Sequence, residues 1–126
     1  MTVINATSST LRQAVRNKAL SSGNLFKPYQ LGNLSLKHRI VMAPMTRLRA
    51  GEKDGIPSEW AIDYYSSRAT DGGLIITEAV SPSLKSRVWN YIPCIESEDQ
   101  IKRWKEITEA VHAKGGKIII QLAQAG

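Results

Sequence analysis

Two stretches of this chain echo one another: GGLIITEA begins at Gly72 and GGKIIIQLA begins at Gly115. Each follows a segment with helical spacing, passes through a nearly unbroken apolar run and ends in polar residues. A strand wetted on one face alternates apolar and polar side chains, whereas a strand covered on both faces is apolar throughout. The runs at 73–77 and 117–122, with a third at 40–43, therefore read as strands of a parallel sheet joined by right-handed crossovers. The interval between the two glycine pairs holds one strand, one loop and one helix, so the fold class is α/β.

The helix inside that interval is well marked. Ser97 with Gln100 gives a capping box, Glu98 and Asp99 occupy the positive first turn, Ile101, Trp104, Ile107, Thr108 and Val111 recur at helical spacing, and Lys114-Gly115 supply an end. A weaker pattern predicts a helix from near Ser58 through Ile62 and Tyr65 to about Arg68. Ahead of the first strand, LFKPYQLGNLSLK at 25–37 alternates about Gly32-Asn33 and reads as a hairpin. The glycine pairs close helices and precede strands, the reverse of a phosphate-binding loop, which follows a strand and opens a helix. No GxGxxG or GxxxxGK[ST] occurs.

Composition narrows the function classes. The chain has 126 residues and a net charge of +6, a surplus that lies wholly in the first 51 residues, where no Asp or Glu occurs. The basic residues are spread singly, without the clustered stripe of a nucleic-acid face, so no nucleic-acid partner is expected. No apolar run is long enough to span a membrane, and no membrane partner is expected. The single Cys94 excludes an internal disulfide and suits a reducing compartment. Residues 1–23 read as a basic, flexible extension. A cytoplasmic location is expected, with a mitochondrial presequence as the alternative for this Ser/Thr-rich, acid-free start.

In parallel α/β folds, chemistry gathers where loops leave the C-terminal strand ends. Pro44-Met45-Thr46, Thr77-Glu78-Ala79 and Gln121 fall there, although spacing alone leaves a ligand rim and an ordinary polar strand end both open. His112 on the outer helix and His38 before the first strand read as surface or structural residues. Neither has ligand-like spacing to Cys94, so no metal site is expected. Trp60, Trp89 and Trp104 read as packing residues, with Trp89 placed in a rim loop. Arg47 and Arg49 are expected to pair with acids near the rim.

The segments LFKPYQLGNLSLKHRIVMAPMTRLRA, IPSEWAIDYYSSRATDGGLIITEA and QIKRWKEITEAVHAKGGKIIIQLAQAG resemble, in order, the N-terminal part of the old yellow enzyme family of FMN-dependent ene-reductases and NAD(P)H:flavin oxidoreductases. The resemblance implies that residues 24–126 form part of a TIM (β/α)8 barrel, with the hairpin and about three parallel strands. It implies FMN at the C-terminal rim, with Pro44, Met45 and Thr46 against the flavin ring, the backbone N–H of Ala79 toward the flavin, and Gln121 facing its pyrimidine edge. NAD(P)H is the implied reductant and a small enone or quinone the implied substrate. The family's substrate-binding pair, its proton-donating tyrosine and its flavin-binding arginines lie downstream, so no catalytic residue is expected in this chain, and the chain alone is expected to be inactive. A non-catalytic interaction or regulatory module is the alternative. The chain departs from the family at Ala123-Gln124, where tryptophan and histidine are common, and at SLKSRVWNYIP, 83–93, which lacks a common glycine.

Overall fold

The structure, a computed structural model, describes residues 23–124, so the extension expected over 1–23 lies outside the described residues apart from Gly23. The chain divides into two units between Arg39 and Ile40.

In the first unit a short 3-10 turn at Asn24–Phe26 precedes the predicted hairpin. Strand β1 (Tyr29–Leu31) pairs antiparallel with β2 (Leu34–Leu36), Tyr29 opposite Leu36 and Leu31 opposite Leu34. The turn falls at Gly32-Asn33 as the alternation predicts, and Gly32 takes a φ of +54°, where a side chain would be strained. The Ser35 hydroxyl donates to Gln30 Oε1 across the pair, and the Arg39 guanidinium lies 4.9 Å from the centre of the Tyr29 ring.

The second unit is a strand, a helix, a strand, a helix and a strand: β3 (Val41–Met42), α1 (Trp60–Ser66), β4 (Leu74–Val80), α2 (Glu98–His112) and β5 (Lys117–Leu122). The strands lie in the order β3-β4-β5, all parallel, as the continuous apolar runs predict. One sheet face carries the helices. Ala61 and Tyr65 of α1 and Trp104, Ile107 and Val111 of α2 pack with Ile75 and Val80 into one core.

Local chemistry explains the boundaries. The capping box of α2 forms as predicted: Gln100 N–H donates to Ser97 Oγ, while Gln100 Oε1 accepts from the N–H groups of Ser97 and Glu96. The same side-chain amide donates to the Asp54 carbonyl, so both ends of the buried Gln100 amide are bonded. Helix α1 is shorter than predicted. Ser58 does not cap it, since its buried Oγ has no hydrogen-bond partner among the described residues, and i→i+3 bonds from Arg68 and Ala69 tighten the chain past Ser66. Strand β3 covers two residues instead of the predicted four, because Pro44 lacks the N–H a longer ladder would use. The glycine pairs are turns, as their position implies: Gly72 and Gly115 both have φ near +70°, and Gly72 N–H donates to the Gly115 carbonyl.

Two tryptophans overturn the packing expectation. Trp60 is 72% and Trp89 60% exposed, since α1 turns Ala61 and Tyr65 inward and Trp60 faces away. Trp104 is buried as expected, its indole N–H donating to the Cys94 carbonyl at 3.0 Å, and His112 is exposed. No described helix is long and apolar enough to cross a membrane.

Candidate functional site

The site begins with an irregularity in β4. The strand runs three residues past its predicted end, and its register with β5 slips: Ile76 pairs with Ile119, and the next pair is Ala79 with Gln121. Thr77 and Glu78 thus stand opposite the single residue Ile120, which is a β-bulge. Ile75 and Val80 are an odd number of residues apart, yet both face the helices, because the extra residue resets the alternation. Ala79 is thereby turned, beside Gln121, to the sheet face away from the helices. The Thr77 hydroxyl repairs the ladder, accepting from Gln121 N–H at 3.1 Å and donating to the Glu78 carbonyl at 2.8 Å.

The bulge also drives Glu78 into the core, where its side chain is 3% exposed. A buried carboxylate is costly unless it is paired and hydrogen-bonded, and here both oxygens are bonded. Arg47 donates from Nη2 at 2.7 Å and Nε at 3.0 Å to Oε1, and its backbone N–H donates to Oε2 at 3.0 Å. The Tyr65 hydroxyl accepts from Glu78 N–H at 3.0 Å and donates to Oε1 at 3.3 Å, gripping main chain and side chain of one residue. Burial, and then the Glu78 charge, hold the Tyr65 hydroxyl well above the ordinary phenol range, so it remains a neutral donor. The Arg47 guanidinium rests 3.8 Å from the centre of the Tyr64 ring, and Arg68 lies 3.9 Å from that ring.

The chain has counterparts among known proteins. Residues 24–126 match the NADH:flavin oxidoreductase / NADH oxidase family. The chain belongs to this family. It is 50% identical over 103 residues to "NADP-dependent oxidoreductase lnbE" of Aspergillus flavus, covering 81% of this chain and 27% of that protein. It is 44% identical over 108 residues to "Probable inactive dehydrogenase easA" of Claviceps fusiformis, covering 85% of this chain and 28% of that one. Its structure resembles that of Old Yellow Enzyme from Pichia sp. AKU4542, with a TM-score of 0.78 and 39% identity, covering 85% of this chain and 28% of that chain. The chain thus spans little more than a quarter of the length of these relatives, and its hairpin and three-stranded parallel sheet are the N-terminal part of the old yellow enzyme barrel.

Within this old yellow enzyme portion, the predicted residues fall at the C-terminal side of the sheet. Pro44, Met45 and Thr46 leave the end of β3 with their side chains exposed, Met45 at 55%. Thr46 lies as far past Met42 as Ala79 lies past Ile75, and Met42 pairs with Ile75. Arg47, the next residue, is bonded to Glu78, the neighbour of Ala79, while Ala79 is paired with exposed Gln121. The expected pairing of Arg47 with an acid is present. Arg49 departs from expectation: it forms no ion pair with a described residue and instead lines, with Arg47, Ser58, Trp60, Asp63, Tyr64 and Ser67, a groove of about 610 Å³ that contains none of the five predicted residues. Tyr65 escaped the sequence reading as a site residue, and Thr77, placed at a strand end, gave no sign of the bulge it supports. A tyrosine in a helix pattern reads as core, and a bulge leaves no trace in an unbroken apolar run.

Proposed function

We propose that this chain supplies one wall of the flavin site of an FMN-dependent oxidoreductase, with catalysis belonging to the assembled barrel. The observation that carries this reading is the pairing of Ala79 with Gln121 on the helix-free face, beside the Arg47–Glu78 bond that anchors the segment ending in Thr46. These residues suit a planar heteroaromatic ring edged with carbonyl acceptors and N–H groups. Gln121 presents an exposed amide carrying one acceptor and two donors. Ala79 presents a methyl small enough for close approach to the backbone, Thr46 a hydroxyl donor, and Pro44-Met45 an apolar surface that excludes water. FMN, when bound, supplies hydride transfer from NAD(P)H to an electron-poor alkene or quinone.

Titrating the purified chain with FMN tests the reading through flavin absorbance and fluorescence. Weak, saturable binding is expected, weakened further in Gln121→Ala and Thr46→Val. A chain that takes up no FMN overturns the reading for these 126 residues and leaves the family assignment standing. A second reading, a non-catalytic interaction module, is favoured by one observation: edge strand β5 exposes Ile119 at 42% and Leu122 at 63%, an apolar edge suited to a further strand. Saturable FMN uptake would separate the two, since an interaction module has no need of flavin.

A further inference from the structure

We propose that Glu78 is a positioning residue: its buried carboxylate is the joint that fixes the chain segment ending in Thr46 to the β4 bulge, and so holds Thr46 and Ala79 at a set separation. The proposal rests on the flavin-site reading only for what the two residues then contact. Three contacts make the joint. Arg47 N–H to Oε2 immobilises the peptide directly after Thr46, the Arg47 guanidinium on Oε1 closes a ring around that peptide, and Tyr65 clamps the Glu78 peptide directly before Ala79. The segment from Ala43 to Arg49 has no regular secondary structure of its own. A loop without ladder bonds takes its conformation from whatever its backbone N–H groups bind, and for Arg47 that partner is a side chain 31 residues away in another strand. The bulge is what makes this possible, because an unbulged β4 would not turn both Glu78 toward Arg47 and Ala79 toward Gln121.

The decisive measurement is amide hydrogen exchange on the full chain without ligand, for wild type, Glu78→Gln and Arg47→Lys. Arg47→Lys keeps the charge and folds more readily if Glu78→Gln does not. The expected result is that the Arg47 amide exchanges about ten-fold faster in Glu78→Gln, the factor that corresponds to losing one charge-assisted bond, while the Ile75 and Ile118 amides keep their protection. In Arg47→Lys the amide of residue 47 is expected to keep its bond, while the amides of Thr46 and Leu48 gain exchange. An Arg47 amide equally protected with and without the Glu78 carboxylate overturns the proposal. In parallel, FMN is added to wild type and Glu78→Gln and amide chemical shifts are followed. Smaller FMN-induced shifts at Thr46 and Ala79 with Gln121 retained support the joint, whereas identical shift patterns and affinities overturn it. A wild type that binds no FMN sinks the flavin-site reading, and the exchange result then decides the joint by itself.

Discussion

Glu78 and Arg47 are each costly to bury and tolerable only together. Removing one partner leaves the other charged and unpaired in the core, so Arg47→Met is expected to lower stability by about 3 kcal/mol, read from the urea midpoint, and Arg47→Met/Glu78→Leu to recover part of that loss. Tyr65 and Cys94 set a limit in alkali. Burial raises the Cys94 thiol, and burial followed by the Glu78 charge raises the Tyr65 hydroxyl. Because the folded state holds these protons more tightly than the unfolded chain, stability is full below the ordinary thiol and phenol ranges and falls as pH rises through about 8.5 and then about 10. Denaturation midpoints across that range should decline, Cys94→Ala should remove the earlier fall, and Tyr65→Phe the later one. At this scale the sequence carried part of the answer. The place of Arg47 near the rim predicts an acidic partner, but Glu78 reads as a polar strand end, because nothing in TEA reveals that the strand continues and turns the carboxylate inward. That Ala79 and Gln121 stand at strand ends was legible from the apolar runs, their roles toward a flavin only through family resemblance.

Elements were clearer than residues. Helix α2 forms where its capping box and 3.6-residue period place it, and Ser97→Ala should cost about 1 kcal/mol in thermal unfolding. The hairpin turn and β5 also lie where glycines and apolar runs predict. The misreadings sit at ends and irregularities, where competing groups decide: Ser58 failing to cap α1, Pro44 shortening β3, and the bulge extending β4. The bulge stands on the Thr77 hydroxyl, which serves as ladder acceptor for Gln121 N–H. Thr77→Val keeps shape and volume but removes that acceptor, so a loss of about 1 to 2 kcal/mol is expected, with faster exchange at the Gln121 amide. An unchanged Gln121 amide would show that the hydroxyl is dispensable.

For the whole molecule, a portion of a closed barrel has sheet edges that closure would otherwise remove. Strands β3 and β5 are the two edges of the described sheet, and the outward Ile119 and Leu122 of β5 make self-association the expected behaviour. Sedimentation should show concentration-dependent growth in size, reduced by Leu122→Lys. That so much of the architecture was legible follows from the double burial of barrel strands, which writes them as unbroken Leu, Ile and Val. The same feature hides their phase, since a run that is greasy everywhere does not say which side chain looks which way. The extra residue at Thr77-Glu78 therefore leaves no mark in that hydropathy. Deleting either residue between Ile76 and Ala79 would iron the bulge out with Ala79 still opposite Gln121 and Val80 still toward the helices, yet would take away either the Thr77 hydroxyl or the Glu78 carboxylate. What the surplus residue contributes is bonding, which greasiness cannot spell.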